Sequence, residues 1–570
     1  MILVGGPRPG LSPEPMTGVP ETSPPSPPAT AWWETRSFAC LMILLAAVPL
    51  LLPPIPPLTD LMGHMGRYRV QIDIDNSAAL ARYYRFDWAI IGNLGCDILV
   101  QLLGPIVGLE AAVKIIVLAI PSLTVAGMLL VAREVHGRIP ATAIFALPLA
   151  YGYPFQFGFL NFALAMGLML IAFAFWLRMA RTGKRKWRPY VFFVVGFALW
   201  VAHSFAWGVL GILCFIAELV RERKAGTAWP RAFGRSIIAC LPLAPPALLL
   251  LPWRGQAAPH GTFGWFQWYF KWRWIYSVLR ERVQIWDLFG AALLFGVGLS
   301  GLSRRPWRRY EPTLGFAAIL LAIVFVCLPR ILLSSAYADM RLVPYMLAVA
   351  ILALRPLANR RVATIVAGLG LVFFGARIAI STLAFLKYER NYNTQLKALD
   401  HVAQGSRVLA LATIPCRNVW YTTRMEHLSS MATVRRNAFV NDQWVAPGAQ
   451  LLRIRYHDAG RYFSHDPSQI LRRPDCRARN EPILELALAV FPRRAFDYVW
   501  MIDMPRERWP VDAGLQPIWE GKRLGILYRI IHRPTDPIGF GVTPPKPEGQ
   551  PGSATASKDT PNGNERRVTQ

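Results

Sequence analysis

The sequence Leu58-Thr-Asp60-Leu-Met-Gly-His64-Met-Gly-Arg67-Tyr-Arg69 follows the first apolar run of the chain and decides how the remaining segments are arranged. On a helix, Asp60, His64 and Arg67 lie at i, i+4 and i+7 and share one face. A carboxylate at the edge of a membrane span, next to an imidazole and a guanidinium, suits proton abstraction beside an anionic substrate. The alternative is an interfacial helix start, capped by one of its first residues, with the histidine and the arginine solvated.

The composition is that of a membrane protein. Hydrophobic residues make up 54% of the 570 residues and charged residues 17%, and the apolar residues form long runs. The net charge of +28 includes arginines clustered in short loops between these runs, such as 178–188 and 304–309. This distribution follows the positive-inside rule and excludes a nucleic-acid groove. No motif for ATP hydrolysis, dinucleotide binding or zinc proteolysis occurs in a supporting helix or strand context.

The apolar segments predict about eleven membrane spans. They lie at roughly 38–55, 111–132, 139–153, 157–177, 189–203, 205–221, 237–253, 286–303, 312–328, 341–357 and 362–386. Segment 88–109 is predicted to be re-entrant or to lie on the surface, because a further crossing there would move the basic loop 178–188 outside. The N-terminus is then cytoplasmic, and the first long loop, 56–110, faces outward.

The fold class is mainly α: a polytopic transmembrane helix bundle with a small C-terminal extracytoplasmic α/β domain. The predicted parts are a disordered cytoplasmic tail (1–36), the transmembrane domain (37–388), the α/β domain (389–533) and a disordered C-terminal tail (534–570). In the α/β domain, a helical segment at 396–404 ends at Gly405 and leads into the apolar run 408–412. A helix at 484–491 and strands at 498–502 and 524–531 follow.

Two cysteines, Cys416 and Cys476, lie in the predicted outward domain, where a disulfide is permitted. The sequence leaves their pairing open. The cysteines within the predicted spans are interpreted as packing residues.

Two further polar residues lie in apolar surroundings. Asp97 follows Leu94-Gly-Cys, so we expect it to face a protein-lined cavity or to have a partner, and the alternative is a helix-pairing acid bonded to Asn93 or Gln101. His203 lies at a predicted outer turn between two spans. It is interpreted either as a core histidine with satisfied hydrogen bonds or as part of the outward cavity.

Arg341 begins the tenth predicted span on its outward side. A cation at a helix start is unfavourable beside the macrodipole unless it is paired or bound to an anion. Asp339 could pair with it, and the alternative is a phosphate clamp. The preceding outward loop, 254–285, is rich in aromatic residues, which indicates an interfacial belt or a segment that contacts lipid or sugar.

With this topology, residues 37–390 resemble the membrane-embedded glycosyltransferases of the GT-C fold, which use polyprenyl-phosphate-linked sugars. The resemblance rests on Asp60 early in a long outward loop, the helix end 130–138, the outer turn 153–162, Arg341, and an outward C-terminal domain. It implies that Asp60 acts as the base or orients the acceptor and that Arg341 binds the lipid phosphate. No second acid lies beside Asp60, where His64 stands instead, and any requirement for a divalent metal is left open.

The predicted function is glycosyl transfer from a polyprenyl-phosphate-linked sugar to a cell-envelope glycan, lipid or protein acceptor at the outer side of the inner membrane. The predicted catalytic residues are Asp60 and His64, and the predicted substrate-binding residues are Arg67, Asp97, His203 and Arg341. The partners are the lipid-linked donor, the acceptor and the bilayer. The alternative is a non-catalytic envelope-assembly or transport protein, which broken spans with polar residues at mid-depth would favour.

Overall fold

The structure, a computed structural model, describes residues 30–536 apart from 257–260, 303–308, 334, 417–418, 422, 463–465, 474–475, 478–482, 523 and 535. Most of both predicted tails, 1–36 and 534–570, lies outside the described residues. The last residues of the first predicted tail are packed, because Trp33 is buried and its indole N–H donates to the carbonyl of Ile139 at 3.2 Å.

The chain is mostly helical and is a multi-pass membrane protein. Up to residue 299 its helices are α1 (Arg36–Leu45), α2 (Val48–Leu51), α3 (Leu61–Asp73), α4 (Ala78–Tyr83), α5 (Gly95–Val107), α6 (Leu109–His136), α7 (Tyr153–Phe157), α8 (Leu160–Arg181), α9 (Arg188–Ala202), α10 (Ser204–Lys224), α11 (Trp229–Cys240), α12 (Leu250–Gln256), α13 (Trp268–Tyr276) and α14 (Gln284–Leu299). After these come α15 (Pro312–Cys327), α16 (Ala338–Leu352), α17 (Arg360–Gln395), α18 (Ser430–Arg436) and α19 (Leu484–Val490).

Four described helices are long and apolar enough to cross a membrane: α6, α8, α10 and α17 with the turn that follows it. The number rises to five if the bent pair Trp229–Leu243 and Pro245–Trp253 is one span. Helices α14 and α15 are apolar but shorter, and 141–151 forms 3₁₀ turns instead of a long helix. The count of eleven spans therefore stays a prediction.

Basic residues mark one end of the bundle. Helices α6, α8 and α10 are three of the longest apolar helices. Each carries at least one arginine in its last turn. Cations in a last turn complement the helix macrodipole, and cations in a short loop retain that loop on the cytoplasmic side. Helix α5, inside the ambiguous segment 88–109, has 13 residues and contains Pro105. At about 1.5 Å per residue it is shorter than the roughly 30 Å hydrocarbon layer.

The C-terminal part contains a mixed sheet. Its strands are β4 (Arg407–Thr413), β5 (Phe439–Val440), β7 (Ile470–Leu471), β8 (Tyr498–Pro505), β9 (Leu515–Glu520) and β10 (Leu524–Ile530). The order is β5-β4-β8-β10-β9, with β7 also paired to β4; β4 runs parallel to β5, β7 and β8, and β10 runs antiparallel to β8 and β9. The inner strands are long apolar runs because both of their faces are buried. Cys416 and Cys476 form a disulfide beside this sheet.

The first loop and the C-terminal part pack together. Strand β1 (Tyr84–Phe86) of the first loop pairs antiparallel with β6 (Leu452–Ile454), and α3 packs along α18. Strands β2 (Ile331–Leu332) and β3 (Ser335–Ala336) form a small hairpin directly before α16. Helix α3 permits the close approach through two glycines: a Cβ at Gly63 would lie 2.5 Å from the indole of Trp444, and one at Gly66 would lie 2.4 Å from the amide of Gln443. This packing brings C-terminal side chains to the start of α3.

Candidate functional site

Asp60 lies directly before α3, and the backbone fixes its position. The N–H groups of Thr59 and Asp60 donate to the carbonyls of Gln156 and Phe157 at 3.3 and 3.0 Å. A Cβ at Gly158, whose φ is +103°, would lie 2.8 Å from the Asp60 nitrogen, so this contact requires a glycine. The Asp60 carboxylate makes no capping hydrogen bond to α3, so helix capping does not explain the residue.

One histidine lies near this carboxylate, and a second histidine packs against the same indole ring as the first. His427, from the C-terminal part, places its Nε2 3.9 Å from Oδ1 of Asp60. The rings of His427 and His64 both pack against the indole of Trp444, with centroid distances of 4.7 and 5.6 Å. Burial, followed by the charge of Arg67, holds the pKa of His64 well below its usual range. His64 is therefore neutral at neutral pH.

Arg341, in the first turn of α16, is the cation of the site. The Asp60 carboxylate is close enough to act on it electrostatically, and its Nη1 lies 3.1 Å from Nε2 of His203. The guanidinium also lies 4.1 Å from the centroid of the Phe159 ring. Arg341 is 9% exposed, and no carboxylate of the described chain lies within ion-pair distance of it. A buried guanidinium with that environment is suited to bind an anion.

Asp339 does not pair with Arg341. Its Oδ2 lies 3.4 Å from Nζ of Lys271, and its Oδ1 accepts a hydrogen bond from the N–H of Met340 at 2.9 Å. Both Lys271 and Asp339 are almost fully buried. Asp339, at the start of α16, thus pairs with Lys271 of α13. The Asp339–Arg341 pair that was expected as an alternative does not form.

Arg67 and Asp97, two of the predicted substrate-binding residues, pair with each other. Both guanidinium Nη atoms contact the carboxylate oxygens of Asp97, and Asn161 donates to the same carboxylate at 3.0 Å. The two side chains are 3% and 0% exposed. The Asp97 carboxylate is therefore bonded to Arg67 and Asn161, and not to Asn93 or Gln101 as the helix-pairing alternative expected. A buried pair of this kind joins α3 to α5, and breaking it is strongly destabilising.

Arg424, which is not among the predicted site residues, links the C-terminal part to the loop that contains Asp60. The Arg424 side chain is 2% exposed and donates to the Pro57 carbonyl and to Oε1 of Gln156, the latter at 3.0 Å. Nε2 of Gln156 in turn donates to Glu281 at 3.3 Å, and Glu281 lies 3.6 Å from Arg377 of α17. These contacts join α7, Glu281 and α17 to the C-terminal part.

Glu426 is the second residue that the sequence did not single out. It is 8% exposed, and its Oε2 has no hydrogen-bond partner within the described residues. Burial raises the pKa of its carboxyl, while the charges of His427 and Arg424 act in the opposite direction. In the sequence, the only indication of a site here is that three of the four residues in Arg424-Met-Glu426-His427 are ionisable. A turn exposed to solvent has the same composition.

Asp60 lines neither of two cavities in the described part of the chain. One, of about 430 Å³, lies between α13, α14 and residues 419–420. The other, of about 350 Å³, lies among the charged ends of α6, α8 and α10. Within the described ranges, no group of three or more His, Cys, Asp or Glu side chains is arranged to hold a metal ion.

No protein-family model matches this sequence, and no curated protein sequence matches it. A comparison with solved structures finds ArnT from Cupriavidus metallidurans, in a crystal structure with bound undecaprenyl phosphate. The likeness covers 86% of this chain and 97% of that chain, with 12% sequence identity and a TM-score of 0.45. Undecaprenyl phosphate is bound to that protein, and its binding by this chain does not follow from the likeness. At this identity and TM-score it assigns no activity to the chain.

Proposed function

We propose that this chain transfers a glycosyl group from a polyprenyl-phosphate-linked sugar to a cell-envelope acceptor at the outer side of the membrane. The observation that carries the proposal is the placement of Asp60. Its carboxylate lies 3.9 Å from His427 and acts electrostatically on Arg341, a buried cation that has no carboxylate at ion-pair distance in the described chain. An acid beside an anion-binding cation is the arrangement that a glycosyl phosphate and a hydroxyl acceptor require.

The transfer is of the inverting type. The acceptor oxygen attacks the anomeric carbon as the bond from that carbon to the phosphate oxygen breaks. Asp60 takes the proton of the acceptor hydroxyl, and the ring of His427, with its Nε2 3.9 Å from Oδ1 of Asp60, orients the carboxylate. The lipid phosphate leaves as an anion, and Arg341 stabilises its growing charge. A glycosyl phosphate is already activated, so no nucleotide hydrolysis is needed.

The other predicted residues support this site indirectly. We propose that His203 positions Arg341, since Nε2 of the ring contacts the guanidinium at 3.1 Å. We assign Arg67 and Asp97 to fixing the start of α3, because their charges neutralise each other in a buried pair. His64 remains a candidate proton acceptor next to Asp60, with its Nδ1 lacking a partner in the described chain.

The bent helix pair does not favour a transporter. The break between Trp229–Leu243 and Pro245–Trp253 turns the chain by 58°, and it coincides with Pro242, Pro245 and Pro246. Proline removes a helix hydrogen bond and explains such a bend. Residues 236–253 contain no charged side chain, whereas a transport site at a broken span is expected to expose polar groups.

Binding of the lipid phosphate tests the proposal. The chain, reconstituted in lipid nanodiscs, is titrated with undecaprenyl phosphate and the bound fraction is followed by native mass spectrometry. Arg341→Gln should weaken binding by tenfold or more, since charge-assisted hydrogen bonds to a buried cation contribute about 1.5–3 kcal/mol. Arg361→Gln, an exposed position at the start of α17, is the matched control and should bind as the parent chain does. Equal binding by all three proteins would contradict the assignment of Arg341.

A further inference from the structure

The cavity of about 430 Å³ has the chemistry of a carbohydrate site. Its wall combines aromatic rings, among them Tyr269, Tyr276 and Trp420, with the polar side chains of Arg273, Arg280 and Gln284. Its volume lies within the roughly 300–1,000 Å³ typical of small-molecule sites. No carboxylate is among the described residues that line it.

The two arginines give the cavity an uncompensated positive charge. Arg280 is 8% exposed and donates to neutral groups: the carbonyls of Trp420 and Val419, at 2.6 and 3.2 Å, and the hydroxyl of Tyr153, at 3.2 Å. A guanidinium carries five N–H groups, so two of them are left for a ligand. Arg273 contacts the Tyr269 hydroxyl at 3.3 Å. Within the described chain, neither guanidinium has a carboxylate at ion-pair distance, and burying such a cation is unfavourable without an anion.

The aromatic pair has a fixed orientation. The rings of Tyr276 and Trp420 are near parallel, with an interplanar angle of 25° and centroids 6.2 Å apart. The indole N–H of Trp420 donates to Oδ2 of Asp287 at 2.7 Å, and Asp287 is itself paired with Arg377 at 2.7 Å. Asp287 therefore fixes the indole from outside the cavity, and the charge of Arg377 compensates the charge of Asp287. Flat, preorganised aromatic faces beside hydrogen-bonding groups suit the apolar faces and hydroxyls of a sugar ring.

The cavity adjoins the Asp60 site through one short helix. Tyr153, which accepts a hydrogen bond from Arg280, is the first residue of α7. The last residue of the same helix, Phe157, offers the carbonyl that binds the N–H of Asp60. In addition, Glu281 directly follows Arg280 and connects through Gln156 to Arg424. A ligand seated in the cavity would thus lie beside the elements that position the proposed base.

We propose that this cavity binds the acceptor of the transfer reaction, and that the acceptor is an anionic saccharide bearing a carboxylate or a phosphate. The assignment rests on the proposed function and adds to it the chemical class of the acceptor. Arg273 and Arg280 bind the anionic group, and the Tyr276–Trp420 pair packs against the sugar ring.

The test is a binding measurement by isothermal titration on the full chain in lipid nanodiscs. The probes are a tetrasaccharide of alternating glucuronate and N-acetylglucosamine, neutral maltotetraose, and inorganic phosphate. We expect the acidic tetrasaccharide to bind at least tenfold more tightly than either of the others. Arg273→Gln should remove most of that preference and weaken the acidic probe by about tenfold or more. Tyr276→Ala, at an exposed ring, should weaken it as well.

Arg282→Gln is the matched control. Its guanidinium lies over the rings of Tyr388 and Tyr421 and does not line the cavity, so this variant should bind the acidic probe normally. Asp60→Asn should also bind it normally, which separates a failure of the acceptor site from a failure of the proposed transfer. Equal affinity for the acidic and neutral probes, binding of phosphate as tight as that of the tetrasaccharide, or an unchanged affinity in folded Arg273→Gln would overturn the proposal.

Discussion

Replacing Gly63 by alanine should disturb the candidate site without touching any charged group. A Cβ at this position would lie 2.5 and 2.8 Å from two ring atoms of Trp444 and 3.2 Å from Cγ of His427. Ordinary contacts begin at about 3.4 Å, so the rigid indole must move by roughly 1 Å. Overpacking costs about 1–3 kcal/mol, while alanine gains about 0.5–1 kcal/mol over glycine inside a helix. A net destabilisation of up to about 2.5 kcal/mol is expected.

The effect on activity should be larger than the effect on stability. Displacing Trp444 also displaces His427, and a misplacement of about 1 Å near a reacting group can lower a rate by about 100-fold. Thermal unfolding and glycosyl transfer are measured on the same preparations, with Gly211→Ala as the control. No atom lies within 4 Å of a Cβ at Gly211, so that variant should be active and slightly stabilised. A Gly63→Ala chain with parental stability and rate would refute the close packing of α3 against the C-terminal part.

Three further predictions concern charge and covalent links. Arg67→Met leaves the buried Asp97 carboxylate without its cation, so thermal unfolding should show a loss of about 3–5 kcal/mol, while donor affinity of the folded fraction stays unchanged. Burial and the nearby Glu426 raise the pKa of Asp503 from its usual value to about 6. Because the folded state holds the proton of Asp503 more tightly than the unfolded state does, stability is lost as the pH rises from about 4 to 6. Asp503→Asn should therefore increase the unfolding temperature at pH 7.5 but not at pH 4. Replacing both Cys416 and Cys476 by serine opens a bridge that spans 60 positions, which should cost about 4 kcal/mol in the chain-entropy description and lower the unfolding temperature.

Hydropathy and periodicity predicted the helical apolar body and several C-terminal elements. The strand predicted at 498–502 corresponds to Tyr498–Pro505, and that at 524–531 to Leu524–Ile530. The expected helix at 396–404 is a short 3₁₀ turn, Leu396–His401, at the end of α17. Local patterns of this kind depend on residues close in the chain, so they can be recognised without knowing the tertiary packing.

The partners of the candidate residues could not be predicted in the same way. Arg67 and Asp97 are 30 positions apart, and His427 reaches Asp60 from a segment that follows every predicted span. Such contacts depend on how α3 packs on α18, and no periodicity encodes that packing. Asp339 is an example of a wrong partner. Its proximity in sequence suggested an ion pair with Arg341, but in the tertiary structure it pairs with Lys271. The predicted domain boundaries and membrane orientation stay predictions.

Asp60→Asn tests whether the carboxylate of Asp60 carries out the proposed transfer. A strain deleted for this chain is complemented with the parent sequence, with Asp60→Asn, or with Asp73→Asn, and the cell-envelope glycans are compared by mass spectrometry. Asp73, at the end of the same helix, pairs with Arg69 near the surface and serves as the control acid. We expect Asp73→Asn to restore the parental glycans, and Asp60→Asn to insert normally in the membrane but leave the deletion profile unchanged. Parental glycans from the Asp60→Asn strain would contradict this expectation.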